Sequence, residues 1–189
     1  MKFKVENICK KYKNNDVLKS FTYTFESGLY LLIGVNGAGK STLIKIIAKV
    51  ISPSNKDYII NEIKTAYLCE KCELSNENVL TFLNCVKKLN NSKTNIKELI
   101  LKWNIPNKNI INLSKGNKQK VAILMMSLTE ADVYLFDEPT DALDDSAKKL
   151  FCLLIGELLM KDKIVIISTH DKECFASFMY KEIRLSCGD

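Results

Sequence analysis

Three runs of uninterrupted apolar character punctuate the chain, at 29–34 (LYLLIG), 133–136 (VYLF) and 163–168 (KIVIIS). Runs of this length, bounded by glycine or acidic residues, suit strands buried on both faces, as in a parallel sheet covered by helices. After the first run, Leu43, Ile46, Ile47 and Val50 recur at helical spacing, which predicts a helix that Pro53 stops. Further helices are predicted at 76–89 behind a Ser75 cap, at 95–103 behind Thr94, at 115–128 behind Ser114, and at about 145–160. The first 28 residues instead mix short alternating runs around Asn14-Asn15-Asp16 and read as antiparallel strands. Residues 58–68 (YIINEIKTAYL) read as another strand and 183–186 (IRLS) as a last short one. Apolar strands alternating with helices predict one α/β domain over 1–189, with a core of about 1–69 and 130–189 and a helical insertion of about 70–129.

Length and composition narrow the class. A chain of 189 residues can bury a substantial core, and 47% apolar with 26% charged residues is ordinary for a folded domain. The first 13 residues carry charge throughout, with no signal-peptide block. The longest apolar stretch, 150–160, is broken by Glu157 and too short to span a bilayer, so the chain is not expected to cross a membrane alone. The net charge of +6 comes from scattered lysines, which reads as a solvated surface, and no nucleic-acid partner is expected. Seven cysteines, an odd number, suggest free thiols in a reducing cytoplasm.

The chemistry is concentrated at the ends of the apolar runs. GVNGAGKS (34–41) matches G-x-x-x-x-G-K-[ST] through Gly34, Gly39, Lys40 and Ser41. Glycines let the backbone curl so that successive N–H groups, from Asn36 through Gly37, Ala38 and Gly39 to Thr42, face phosphates at the positive end of the following helix. Lys40 then reaches the β- and γ-phosphates, and the Ser41 hydroxyl ligates Mg²⁺. The second run ends in Asp137-Glu138-Pro139. Asp137 is placed to hold Mg²⁺ through water, and Glu138 to orient or deprotonate an attacking water.

With these pieces in view the chain resembles the ATP-binding-cassette (ABC) ATPases over nearly its whole length. LSKGNKQ (113–119) looks like the family's signature motif, DALDD (141–145) like its D-loop, and His170 in ISTHD like its switch histidine. Tyr12 sits where the family stacks an aromatic ring on adenine. The resemblance implies a P-loop NTPase fold with a RecA-like core, an N-terminal antiparallel β section and a small α-helical insertion. It implies ATP and Mg²⁺ as ligands, with catalytic roles for Lys40, Glu138 and His170 and a nucleotide contact from Asp144. It further implies a homodimer paired head to tail, in which Ser114 and Gly116 at a helix tip face the γ-phosphate held by the other copy. A separately encoded transmembrane permease would be the partner, placing the chain in the cytoplasm on the inner face of the membrane.

Three positions depart from the family pattern. Lys115 and Asn117 replace the usual Gly and Gln or Met, although the resulting Ser-Lys-Gly looks like that of ABC-2-type exporters, which often serve peptide or bacteriocin export or immunity. The family's Q-loop glutamine falls on Glu70, an acceptor-only side chain that can still ligate Mg²⁺ through water. Beside it, Cys69 and Cys72 have the spacing of half a zinc site or a redox pair, but no second such pair exists and they read as incidental small hydrophobes. A soluble ABC ATPase acting in assembly, translation or DNA maintenance is the alternative; the chain carries neither long coiled coils nor a second cassette. A GTPase switch fails because residues 117–120 read NKQK and not N-K-x-D.

Overall fold

The computed structural model describes residues 1–13, 15–70 and 74–186. Two long antiparallel strands open the chain, β1 (Lys2–Tyr12) and β2 (Asn15–Glu26), with Lys2 opposite Glu26 and Tyr12 opposite Asn15. Asn14, part of the predicted turn between them, lies outside the described residues. β4 (Ile59–Ile60) pairs with the other edge of β1 and gives a three-stranded sheet in the order β2-β1-β4.

A second sheet is wholly parallel and runs β5-β6-β7-β3-β8. Its strands are β3 (Gly28–Ile33), β5 (Thr65–Leu68), β6 (Val133–Asp137), β7 (Ile164–Ser168) and β8 (Tyr180–Arg184). Every residue of β6 and β7 is buried, as their uninterrupted apolar sequences require. The strands' alternation sorts their side chains into two layers. Tyr30, Leu32, Leu135 and Ile166 pack with α1 (Lys40–Ile47) and with Phe3, Val5 and Phe25 of the antiparallel sheet. Leu29, Leu31, Phe136 and Ile167 face the opposite way, onto α4 (Lys115–Leu128) and α5 (Asp145–Met160). The two remaining helices, α2 (Val79–Leu89) and α3 (Ile96–Lys102), bury Leu83, Val86 and Ile100 in that same cluster, around Trp103.

Strand order fixes where a ligand can sit. The connection leaving β3 runs toward β5, whereas those leaving β6 and β7 run the other way, toward β8. In open parallel sheets such a reversal leaves a crevice at the carboxyl ends of the strands. Ile33, Asp137 and Ser168, the last residues of β3, β6 and β7, border that crevice.

Several predicted boundaries move. α1 ends at Ile47, before Pro53; Lys49 turns the chain at φ +59° and Val50 is exposed. The strand predicted over 58–68 divides into β4 and β5, which belong to different sheets. α2 is capped by Asn78, whose side chain accepts from the Leu80 N–H, while Ser75 accepts from Glu77 N–H in the turn before it. A tertiary tether makes that choice: Val79 N–H donates to the Lys108 carbonyl, and Ile110 N–H to that of Glu77. α3 is likewise capped by Asn95 rather than Thr94. Ser114 caps α4 as expected, its Oγ accepting from Asn117 N–H, and β8 begins at Tyr180, three residues before the predicted strand. Among the described residues no helix is long and apolar enough to cross a membrane.

Candidate functional site

Between β3 and α1 the chain turns through Gly37 and Gly39 at φ +84° and +93°, conformations that side chains with a Cβ adopt at a cost. Gly39 also leaves no room, since an added Cβ would lie 3.0 Å from the Val17 carbonyl oxygen. No side chain caps α1 and no acid occupies its first turn, so its N–H groups and the positive end of its dipole are open to an anion. Lys40, only 6% exposed, folds back across the loop. Its Nζ donates to the carbonyls of Gly34 (2.8 Å) and Val35 (3.4 Å) and lies 3.4 Å from His170 Nε2.

The acids follow from the end of β6. Asp137 is buried, and its Oδ1 accepts from both the Ser41 hydroxyl (2.9 Å) and the Ser168 hydroxyl (2.6 Å). Glu138 leaves the strand at φ +46°, its N–H donating to Ser168 Oγ at 3.0 Å. One carboxylate oxygen, Oε1, lies 3.3 Å from His170 Nε2; the other, Oε2, is buried without a hydrogen-bond partner among the described residues. Burial raises the Glu138 carboxyl above its ordinary value; His170 opposes the rise, Asp141 adds to it, Lys40 opposes it and Asp137 adds to it. An acid with a raised pKa and one partnerless carboxylate oxygen suits a general base.

The sign of that shift predicts a pH-dependent stability difference. A carboxyl raised in the folded state favours folding below its ordinary value near 4.5 and loses that contribution as pH climbs through the folded value. Glu138→Gln removes the ionisation. Its melting temperature is expected to exceed that of the native chain by a few degrees at pH 8, the gap closing toward pH 4. Thermal melts across that range check it, and a constant gap would contradict it.

One cavity of about 660 Å³ gathers Tyr12, the loop from Asn36 to Thr42, Glu70, Glu138 and His170. It is also lined by Asn15, Val17 and Asp141, which sequence reasoning did not single out. Asp141 carried one available signal, its place in the segment after the acidic pair. Ser168, which fixes both Asp137 and Glu138, carried none beyond ending an apolar run. The donors around Ser41 and Asp137 are all oxygen, and the partnerless Glu138 Oε2 belongs to the next residue in the chain; this set fits a hard divalent cation. Among the described residues no His, Cys, Asp and Glu cluster of three forms a metal site, and Cys72 lies outside them.

Three of the predicted nucleotide contacts do not reach this cavity. Ser114 and Gly116 sit at the start of α4, where a Cβ on Gly116 would lie 2.7 Å from the Ala142 carbonyl oxygen. Asp144 caps α5, accepting from Ala147 N–H (2.8 Å), from Ser146 Oγ (2.6 Å) and from the Lys120 ammonium (2.8 Å). The Lys120 bond, with those from Ser146 and Ala147, holds its carboxyl well below the usual range. Gln119 Nε2 meanwhile donates to the Pro139 carbonyl at 3.0 Å. The tip of α4 is therefore joined to the loop after β6 at three places.

Residues 18–141 match the ABC transporter family. The chain is 33% identical over 182 residues to an uncharacterised ABC transporter ATP-binding protein of Methanocaldococcus jannaschii, covering 91% of this chain and 69% of that one. It is 28% identical over 179 residues to a zinc import ATP-binding protein, ZnuC, of Wolbachia sp. subsp. Brugia malayi, covering 89% of this chain and 73% of that one. Its fold superposes on the solved structure of a putative ABC transporter ATP-binding protein from Pyrococcus furiosus with a TM-score of 0.78 at 26% identity, covering 98% of both chains. The phosphate-type loop, the acid pair at the β6 end and these matches agree: the chain belongs to the ABC transporter family, as an ATP-hydrolysing cassette.

Proposed function

We propose that this cassette pairs head to tail with a second copy around ATP and drives a separately encoded transmembrane permease from the inner face of the membrane. The observation that carries this reading is a division of groups. The loop from Asn36 to Thr42, Glu138 and His170 line one cavity, whereas Ser114 and Gly116 stand outside it at a helix start. A helix tip that serves a phosphate but lies off its own chain's cavity requires another chain's nucleotide.

Each residue then has a task. Lys40 exchanges the Gly34 and Val35 carbonyls for phosphate oxygens, and the N–H groups of the loop and of α1 receive the rest of the anion. Ser41 and Asp137 would hold Mg²⁺, with Glu70, which lines the same cavity as Ser41, as a further oxygen donor through water; the ion would supply charge neutralisation on the phosphates. Glu138 takes a proton from water, and His170 orients it through Oε1. Tyr12, half exposed with Lys10 Nζ 5.3 Å from its ring centroid, offers a face for adenine. Outward movement of peptide or other small cargo is supported by the likeness of Ser114-Lys115-Gly116 to ABC-2-type exporters.

Ser114→Arg tests the pairing. Turnover should fall by roughly 10²–10³-fold while the chain's own affinity for ATP stays within about threefold. Surviving turnover would overturn the role of the helix tip. Purification from membranes should also recover a multi-span membrane protein; a purely soluble complex would favour a soluble ABC ATPase instead, and uptake of cargo into cells would overturn the outward direction.

A further inference from the structure

A groove of about 960 Å³ runs along α5, sharing no lining residue with the nucleotide cavity, and two cysteines line it. Cys152 lies midway along α5. Cys174 lies in the 3-10 turn Glu173–Phe175, four residues beyond His170. Their Sγ atoms are 3.6 Å apart, and Cys152 Sγ also lies 3.1 Å from the Cys174 carbonyl oxygen, to which its S–H can donate. A disulfide needs a separation of about 2.05 Å, so the sulfurs have about 1.5 Å to close, a distance that side-chain rotation can supply. The segment between His170 and Cys174 is already clipped to α5. Lys148 Nζ meets Asp171 Oδ2 at 2.8 Å, and Asp171 Oδ1 accepts from Cys174 N–H at 3.2 Å. A covalent bond between the sulfurs would convert that clip into a fixed strut beside the residue that contacts both Lys40 and Glu138.

We propose that Cys152 and Cys174 form a redox-modification site that closes to an intrachain disulfide with a low-molecular-weight disulfide and thereby restrains the segment carrying His170. Cys174 attacks one sulfur of the small disulfide, forming a mixed disulfide and releasing one thiol, which takes the proton. Cys152 then attacks the Cys174 sulfur, forming the Cys152–Cys174 bond and releasing the second thiol with the second proton. The two electrons lost by the protein thiols reduce the small disulfide to two thiols. Burial pushes the Cys152 thiol up to about 12 and raises Cys174 too, where the hydrogen bond from Cys152 offsets part of the rise. Cys174 is therefore the entering nucleophile and Cys152 the resolving one, and the exchange is slow at neutral pH.

The test uses the full reduced chain exposed to oxidised glutathione in excess. Non-reducing peptide mapping should recover a Cys152–Cys174 linked pair. ATP turnover should fall by roughly three- to thirtyfold and return with dithiothreitol, and the oxidised chain should melt several degrees higher. Cys152→Ser and Cys174→Ser should each keep the untreated chain's turnover and resist the oxidant. Absence of the linked peptide overturns the site. A linked peptide with unchanged turnover, or an equal loss in both serine variants, overturns the control of His170. The peptide readout does not depend on the head-to-tail pairing, so failure of that reading and failure of this one are distinguishable.

Discussion

Lys40→Ala is expected to abolish nucleotide binding, with affinity for ATP falling by more than about 100-fold. The reason lies in how little else in the cradle carries positive charge. α1 contributes N–H groups and a partial charge, but Lys40 is the ammonium in contact with the loop's own carbonyls. Those carbonyls are neutral acceptors, whereas phosphate oxygens are charged, and charge-assisted bonds are about twice as strong as neutral ones. The fold should persist, because the Val35 carbonyl keeps a second donor in Ala38 N–H and the ammonium contributes no apolar core. Titration with a fluorescent ATP analogue, beside a circular dichroism spectrum, separates the two effects. Unchanged affinity in a folded variant would refute the assignment of this loop.

Glu138→Gln is expected to separate binding from turnover. The amide keeps the shape of the carboxyl and a contact to His170 but cannot take a proton from water, so turnover should fall by roughly 10²–10⁴-fold. ATP binding should hold or tighten slightly, since a buried negative charge beside the phosphates is removed. Under saturating ATP the variant should then elute from a sizing column as a stable dimer, because both copies grip an anion that is never cleaved. A monomer under those conditions would count against the paired site. In the native chain the raised Glu138 carboxyl should also shift the acid limb of the rate profile upward from where an unperturbed carboxylate would set it, and that limb should vanish with the residual activity of the variant.

Much of the site was legible because its chemistry is local. Gly37, Gly39, Lys40 and Ser41 need only their own backbone turn and the helix that follows, and both are set by near neighbours in sequence. Asp137 and Glu138 stand at the end of a strand whose burial is written in four consecutive apolar residues. Ser114 announced a helix start and became one. The errors fell where several residues could do the same local job. Ser75 and Asn78 can both cap a helix, and only the bonds from Val79 and Ile110 across to residues 108 and 77 choose between them. Nor could periodicity show that the stretch 58–68 feeds two sheets, since β4 owes its existence to β1 and β5 to β6.

The amino-acid sequence by itself determined the fold class, the phosphate-binding turn and the acid pair, because each depends on residue types within a few positions of one another. The tertiary structure decided what surrounds them. Parallel strand order, a property of pairings far apart in the chain, brings Ser168 onto Asp137, His170 between Lys40 and Glu138, Asp141 into the cavity, and Cys174 against Cys152. It also commits the Asp144 carboxylate to Lys120 and the start of α5, because the helix tip beginning at Ser114 packs on that loop rather than on its own chain's nucleotide cavity.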